Sequence, residues 1–375
     1  LPPYRFQKVD EWDFEIGEIL KDKSVFAVFG EINEQQPIPL CPVRMESGKI
    51  MYPIGHKTVF LFREEFEYLT QVCKQSVKVK QILYCSDWGY IFKDFVELTY
   101  FKRKEEKDKG KKGNQFLIYL LKIFQNALYG KFAENKLKDS LEFFTIDAFQ
   151  ALPEEKHQML LDSGKCEIVE YGEEEYMLIR DKKLHKVDIN IFYAMRITAL
   201  CRLDLHQKMV KMQDLSYVDT DSLVGEKIED SNELGHLKVE FYADKFQALG
   251  CKEYAYCVKE KVLTVMNCNF YVENINAKMK GFGRVKYEQF EQFVIQYLKP
   301  KRQWRPAGFL EVINRGLQPN EIIVFDKEKS AFYDKRWIMS DLTTVPFNID
   351  CENLEELIKN NQKMIRRIIQ RYKEV

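Results

Sequence analysis

The alternation of apolar and polar positions divides the chain into stretches of strand period and stretches of helical period. Ser24-Val25-Phe26-Ala27-Val28-Phe29, bounded by Gly30, predicts a strand. Pro37-Ile38-Pro39-Leu40-Cys41-Pro42-Val43-Arg44 is expected to be extended, because each proline removes a donor and biases its predecessor away from helix. Gly48 with Lys49-Ile50-Met51-Tyr52-Pro53 predicts a hairpin, and a helix follows from about Arg63 to Lys74. Leu117 to Ala133 and Ile189 to Met212 carry helical periodicity, and a last amphipathic helix is expected from Asn353 to about Tyr372. Cys166 to Tyr171 and Glu175 to Arg180 flank Gly172 as a second hairpin, with its acidic turn toward solvent. Leu234 to Glu240 reads as a strand. Lys252-Glu253-Tyr254 opens an alternating run through Val258, which would put Lys252 and Tyr254 on one face.

One stretch breaks the pattern. In Leu215-Ser216-Tyr217-Val218-Asp219-Thr220-Asp221-Ser222-Leu223-Val224 two acids interrupt an apolar, β-prone run, so Asp219, Thr220 and Asp221 would form a hairpin tip. Carboxylates held close on a turn repel each other and are stable together only near positive charge; hard oxygen donors of this kind suit Mg²⁺. An ordinary polar turn, in which Asp and Ser satisfy local backbone groups, is the competing reading. A second constellation is Lys122, Asn126 and Tyr129, spaced i, i+4, i+7 on one helical face and followed by Gly130. A lysine there offers a mobile charge to phosphates, and an aromatic one turn on can stack on a base or ribose.

The first string resembles the Tyr-x-Asp-Thr-Asp-Ser motif of family B DNA polymerases, and the second resembles that family's Lys-x-x-x-Asn-Ser-x-Tyr-Gly motif, with Ala127 in place of the serine. Lys252 and Tyr254 match its Lys-x-Tyr motif, and the intervals between the motifs resemble the protein-primed branch. The resemblance implies an α+β polymerase right-hand fold with an antiparallel-sheet palm, helical fingers, a small thumb and inserted β-rich subdomains. Residues 1–91 would hold part of the palm and the first inserted subdomain, and 92–135 the fingers. Residues 136–186 would be the second inserted hairpin subdomain, 187–285 the palm with the metal hairpin, and 286–375 the thumb and C-terminal helix.

The implied activity is template-directed DNA synthesis from dNTPs on primer-template DNA, with a terminal protein as the first primer. Asp221 would be the main ligand of two Mg²⁺ ions, with Mn²⁺ as an alternative, and Asp219 an auxiliary carboxylate. Lys122, Asn126, Tyr129 and Lys102 would bind the nucleotide; Gly130, Thr220, Lys252, Tyr254 and Lys280 would contact primer and DNA. The family's earlier Asp-x-x-Ser-Leu-Tyr-Pro motif does not occur in this sequence, nor does an exonuclease domain, so the chain is expected to start just downstream of that motif. That gap motivates a second reading, a non-catalytic DNA-binding remnant or one half of a split polymerase. An unrelated Mg²⁺ phosphotransferase would need a nucleotide-cradling glycine loop, and the sequence has none.

Charge and cysteine content refine these expectations. Lys+Arg and Asp+Glu both number 58, so any contact with DNA requires a local concentration of positive charge. The run Lys102 to Lys112 is basic and reads as a solvated, flexible loop tip. Lys299 to Arg305 and Lys327 to Arg336 interleave cations with Trp304, Phe332 and Tyr333, a composition suited to gripping a duplex backbone. Nine cysteines without a Cys-x-x-Cys pair read as buried reduced thiols of an intracellular protein, in host cytoplasm or mitochondrion. No apolar run approaches the roughly 20 residues of a membrane span, and the start does not read as a signal peptide.

Overall fold

The computed structural model describes residues 5–8, 16–45, 48–85, 89, 92–134, 137–171, 173–184, 191–226, 231, 233, 235–250, 252–265, 268–279, 283–286, 301–327, 335–339, 343–351 and, between 356 and 367, all but 357, 362 and 365. The chain forms two units. The first comprises Leu1–Asp94, Arg196–Lys299 and Lys329–Val375; the second comprises Phe95–Met195 and Pro300–Glu328. Each mixes helices and strands, as expected for the α+β class.

The first unit begins with β1 (Arg5–Lys8), α1 (Ile16–Lys21), β2 (Val25–Glu34), β3 (Val43–Arg44), β4 (Ile50–Met51), β5 (Gly55–Phe62), α2 (Arg63–Glu67) and β6 (Val77–Tyr84). Four of the strands form an antiparallel sheet in the order β1-β6-β2-β5. Gly30 does not end its strand as the sequence suggested, because β2 runs on to Glu34. A Cβ at Gly30 would lie 2.4 Å from the Lys78 carbonyl oxygen, so glycine there permits a close approach of β6 at a bulge. The predicted hairpin appears as β3 and β4, and the predicted helix as α2 continued by a π-helical turn, Tyr68–Val72. Val28, Ile32, Leu61, Phe66, Leu69 and Ile82 fill the core between sheet and helix.

The proline-rich segment lies extended against this core with Leu40 and Cys41 buried. Its backbone groups there are satisfied by side chains instead of a ladder. Glu34 accepts from the Leu40 amide at 2.6 Å and the Cys41 amide at 3.2 Å, and pairs with Lys57 at 2.8 Å. The Lys57 ammonium donates to the carbonyls of Cys41 at 2.9 Å and Pro53 at 2.5 Å. Both side chains are almost wholly buried, a placement that sequence reading of a strand-end glutamate misses.

The second unit opens on α3 (Lys93–Asp108) and α4 (Gln115–Phe132). The run Lys102 to Lys112 is therefore not a loop tip: it is helical to Asp108 and closes through a 3₁₀ turn, Gly110–Lys112. Its charges alternate in sign at helical spacing, with Lys109 pairing Glu105 at 3.0 Å and Glu106 at 2.6 Å, so they support the helix end. The turn is fixed by Glu106, which accepts from the Asn114 amide at 2.8 Å, and by Asn114, which caps α4. After α4 come β7 (Leu137–Thr145), α5 (Ile146–Gln150), α6 (Glu154–Asp162), β8 (Cys166–Tyr171) and β9 (Glu174–Leu184). The predicted hairpin forms from β8 and β9, and β7 adds a third strand on the far side of β9. Phe149, Met177 and Ile179 make its core.

Helix α7 (Ile191–Lys211) is followed by β10 (Gln213–Asp219), β11 (Ser222–Glu226), β12 (Lys245–Gly250), β13 (Glu253–Val265), β14 (Cys268–Met279) and β15 (Gly283–Lys286). From Arg196 onward α7 packs on the first unit's core. Leu203 joins the apolar cluster, Arg202 pairs with buried Glu65 at 2.5 Å, and His206 is buried. The His206 Nε2 donates to the Ile38 carbonyl at 2.7 Å, while its Nδ1 lies 3.3 Å from the Tyr68 hydroxyl. Burial pushes the His206 pKa down, so between that lowered value and the ordinary 6.5 the unfolded chain binds more protons. The stability contribution is therefore complete above about pH 6.5 and is lost as pH falls below it. Urea unfolding of the wild type at about pH 5 and pH 7.5 should show this loss, and His206→Gln should flatten it.

The strand expected at Leu234 to Glu240 does not form among the described residues from 235 to 244. Phe241 instead stacks on Tyr256 at a centroid distance of 4.0 Å, so this segment docks through a ring without pairing its backbone in a sheet. Next come β16 (Lys301–Pro306), α8 (Phe309–Arg315) and β17 (Ile322–Lys327) in the second unit. There Phe309 contacts Phe143 at 4.6 Å and Tyr171 at 5.3 Å. Arg305 grips both oxygens of Glu311, holding that carboxyl down at about 2. In the first unit, β18 (Arg336–Ile338) pairs with β19 (Thr344–Pro346), and the chain returns to β5 through His56 and Asp350 at 2.9 Å. The described residues between 356 and 367 are helical, and the rest of the expected last helix lies outside the described residues, as do Lys299, Phe332 and Tyr333.

The cysteines are not uniformly buried. Cys41, Cys85 and Cys257 are, whereas Cys201 and Cys351 are exposed; those seven of the nine that are described as free include all five. No helix among the described residues is long and apolar enough to cross a membrane.

Candidate metal hairpin and primer-side residues

Strands β10 and β11 pair with Tyr217 opposite Val224, Val218 opposite Leu223 and Asp219 opposite Ser222. Asp219 thus ends its strand, and the tip consists of Thr220 and Asp221 alone. Thr220 takes a left-handed backbone, φ 57°, which costs a β-branched residue on the order of 1–3 kcal/mol. Local bonds hold it there. The Thr220 hydroxyl donates to the Asp219 carboxylate at 3.0 Å, the Ser222 hydroxyl to the Asp219 carbonyl at 3.0 Å, and the Asp221 amide to the same carbonyl at 2.7 Å. Thr220→Gly should relieve the strain and raise the unfolding midpoint slightly, while freeing the Asp219 carboxylate from its hydroxyl partner; calorimetry checks the first effect. At the base of the hairpin, a Cβ on Gly225 would lie 2.4 Å from the Met212 sulfur and 3.1 Å from the Asp214 carbonyl oxygen, so β11 runs close to the residues that follow α7.

Lys252 and Tyr254 reach this hairpin by a different route from the one the alternation implied. Lys252 is not in the strand: it precedes β13 with φ 61°, and a left-handed residue breaks the period-two relation to Tyr254. Its amide donates to the Tyr217 hydroxyl at 2.6 Å, and its ammonium lies 3.7 Å from Asp219. The Tyr217 ring in turn contacts Tyr254 at 5.3 Å and Phe246 at 5.9 Å. Tyr217 therefore joins the acidic turn to the next sheet, and Asp219, Lys252 and Tyr254 come together around it.

The two acids differ in their surroundings. Asp219 is engaged by Lys252 and Thr220, whereas Asp221 is exposed and, among the described residues, its carboxylate has no hydrogen-bond or ion-pair partner. Partial desolvation, then the charges of Asp204 and Asp221, push up the Cys201 thiol on α7. The donors fit a hard cation: Mg²⁺ is held by one or two carboxylates together with substrate phosphates and waters. No cluster of three or more ligating side chains occurs among the described residues.

In the second unit, α4 carries Lys122, Asn126, Tyr129 and Gly130, all exposed, and the first three share the helical face expected of them. Lys102 is exposed on α3, whose neighbour Arg103 donates to Gln125 of α4 at 3.0 Å. Lys280 lies outside the described residues.

Comparison with known proteins bears on this arrangement. The model of the family DNA polymerase type B, organellar and viral, matches residues 3–215. The chain belongs to this family. The matched span ends just before the acidic turn. A protein described as "Probable DNA polymerase" from Neurospora intermedia is 24% identical over 270 residues, covering 68% of this chain and 26% of that protein. Among solved structures, Phi29 DNA polymerase complexed with primer-template DNA is similar in fold, with a TM-score of 0.52 at 15% identity, over 87% of this chain and 54% of that one. The chain thus spans about a quarter of the one relative's length and about half of the other's.

For this type B polymerase chain, sequence reading missed three supports of the site: Tyr217 as the acceptor for Lys252, the close packing at Gly225, and the rings of Phe246 and Tyr256 beside Tyr254 with Phe241 stacked on Tyr256. A signal was available only for Tyr256, which follows Tyr254 at a spacing of two in β13.

Proposed function

We propose that this type B polymerase chain carries out template-directed DNA synthesis, transferring nucleotides from dNTPs to a primer 3′ hydroxyl. In this reading residues 1–91 and 187–285 supply the palm and first insertion, 92–135 the fingers, 136–186 the second insertion and 286–375 the thumb. The hydroxyl oxygen bonds to the α-phosphorus, the bond between the α-phosphorus and the oxygen bridging to the β-phosphate breaks, pyrophosphate leaves with that oxygen and the hydroxyl proton passes to solvent. Asp221 and Asp219 would hold Mg²⁺, or Mn²⁺, which when bound lowers the pKa of the primer hydroxyl and neutralises the departing pyrophosphate.

The chain's own residues would divide the remaining work. Lys122 and Lys102 offer point charges to the triphosphate, and Asn126 and Tyr129 line the sugar side of the nucleotide. Lys252 and Tyr254 position the primer end, with Thr220, Gly130 and Lys280 on the DNA. In the protein-primed form of the reaction, a terminal protein's hydroxyl takes the place of the first primer.

The observation that carries this reading is the convergence of Asp219, Lys252 and Tyr254 on one hairpin. Mg²⁺-dependent primer extension by the 375-residue chain tests it. Incorporation supports catalysis, whereas DNA binding without incorporation favours a remnant or one half of a split enzyme. In an active form, Lys122→Ala should raise the KM for dNTP by about 10-fold, the loss of one charge-assisted phosphate contact, with DNA affinity unchanged.

A further inference from the structure

The turn between α3 and α4 presents positive charge from a fixed backbone. From Lys102 to Lys112 there are seven cations and three acids. Two of the acids are engaged, since Glu105 and Glu106 pair with Lys109 and Glu106 also accepts from the Asn114 amide. Lys104, Lys111 and Lys112 are exposed and, among the described residues, have no acid partner; against them stands Asp108. The turn itself is tight. The Lys112 amide donates to the Lys109 carbonyl at 3.2 Å and the Gly113 amide to the Gly110 carbonyl at 3.1 Å, and at position 113 the Glu106 carbonyl oxygen leaves no room for a Cβ. Lys111 and Lys112 are therefore held at the tip without the ordering cost of a loose loop.

Aromatic rings follow these charges along the chain. Phe116 and Tyr119, in the first turns of α4, are 72% and 63% exposed, more open than Ile123 at 41% further along. Spacing ties one of them to the residues assigned to the nucleotide, because Tyr119, Lys122 and Asn126 are i, i+3 and i+7 and share a face. Unpaired ammonium groups beside open rings suit single-stranded nucleic acid, whose bases stack on the rings while its phosphates meet the lysines. A duplex would hide its bases from them. A partner protein on the same apolar face would have to bring carboxylates for Lys111 and Lys112, whereas a nucleic-acid strand carries a phosphate with every base.

We propose that Lys111, Lys112, Phe116 and Tyr119 form a contact for single-stranded DNA, the unpaired template strand, running along α4 toward Lys122 and Asn126. The proposal rests on the polymerase reading, which supplies the strand. None of the four residues belongs to the motifs recognised in the sequence. The lysines hold phosphates at the tip, and the rings take the bases that follow.

The test is the affinity of the 375-residue chain for two fluorescent primer-template hairpins, one blunt and one with an unpaired 5′ template overhang of about 12 nucleotides, over about 50–200 mM NaCl. Wild type should bind the overhang hairpin more tightly. Lys111→Gln combined with Lys112→Gln should remove most of that advantage and make the log–log salt slope for the overhang hairpin shallower by about 1.4, the value for two single-strand phosphates. Tyr119→Gln should weaken overhang binding by about 10-fold, the loss of one stacked base, without changing the slope. Blunt-hairpin affinity and the thermal unfolding midpoint should hold in both variants. Equal affinity of wild type for the two hairpins, or variants that keep the advantage or weaken both hairpins alike, overturns this contact and leaves the polymerase reading intact. A dimer of the DNA-free chain in light scattering that Tyr119→Gln dissolves gives the face to a second copy and overturns it as well. A wild-type chain that binds neither hairpin overturns both proposals.

Discussion

Asp221→Asn is expected to reduce primer extension more than about 100-fold at saturating Mg²⁺ while leaving the thermal unfolding midpoint unchanged. The substitution keeps the size of the side chain and removes its charge, which is what a divalent ion requires of a hard ligand. Stability should not respond, because the carboxylate is exposed and without a protein partner among the described residues. Asp219→Asn should act differently. It releases Lys252 from its 3.7 Å contact, so both primer affinity and rate should change. Steady-state extension assays over a Mg²⁺ titration separate the two, and normal activity of Asp221→Asn in an active form of the enzyme would end the metal-ligand assignment.

Lys57→Met is expected to destabilise the first unit by about 3–5 kcal/mol, the effect of leaving a buried carboxylate without its counter-charge. Glu34 would still accept from the Leu40 and Cys41 amides, but the carbonyls of Cys41 and Pro53 would lose the ammonium that now serves both. Adding Glu34→Gln should recover part of the loss, since a neutral amide still offers an oxygen to one of the two amides. Denaturant unfolding followed by a probe within the first unit reads the difference, which matters in a chain of two units that need not melt together. A change below about 1 kcal/mol would show that water reaches the site and solvates Glu34.

Several features were legible from local pattern. The helices α4 and α7 follow from periodicity, the hairpin β10–β11 from two apolar runs around a polar tip, and the β8–β9 hairpin from strand runs around Gly172. Three others were misread for identifiable reasons. The Lys102 to Lys112 stretch looked like a loop because its composition is charged, although the signs alternate at the spacing that stabilises a helix end. Gly30 looked like a strand end because a missing Cβ permits either a turn or a close approach, and only the neighbouring Lys78 carbonyl distinguishes them. Alternation put Lys252 and Tyr254 on one face because period two assumes that every residue is extended, and a left-handed φ at Lys252 removes that premise.

What the sequence by itself determined was the chemistry available: two acids at a β-turn, a lysine, an asparagine and a tyrosine on one helical face, and a lysine two residues from a tyrosine. These depend on spacing within single elements, where geometry repeats. Which groups meet was decided only by tertiary structure. Tyr217 holds the Lys252 amide across 35 residues, and Lys57 serves the carbonyls of both Cys41 and Pro53. Such contacts are set by how backbone groups without ladder partners and buried charges find theirs, a requirement that only the folded chain as a whole can satisfy.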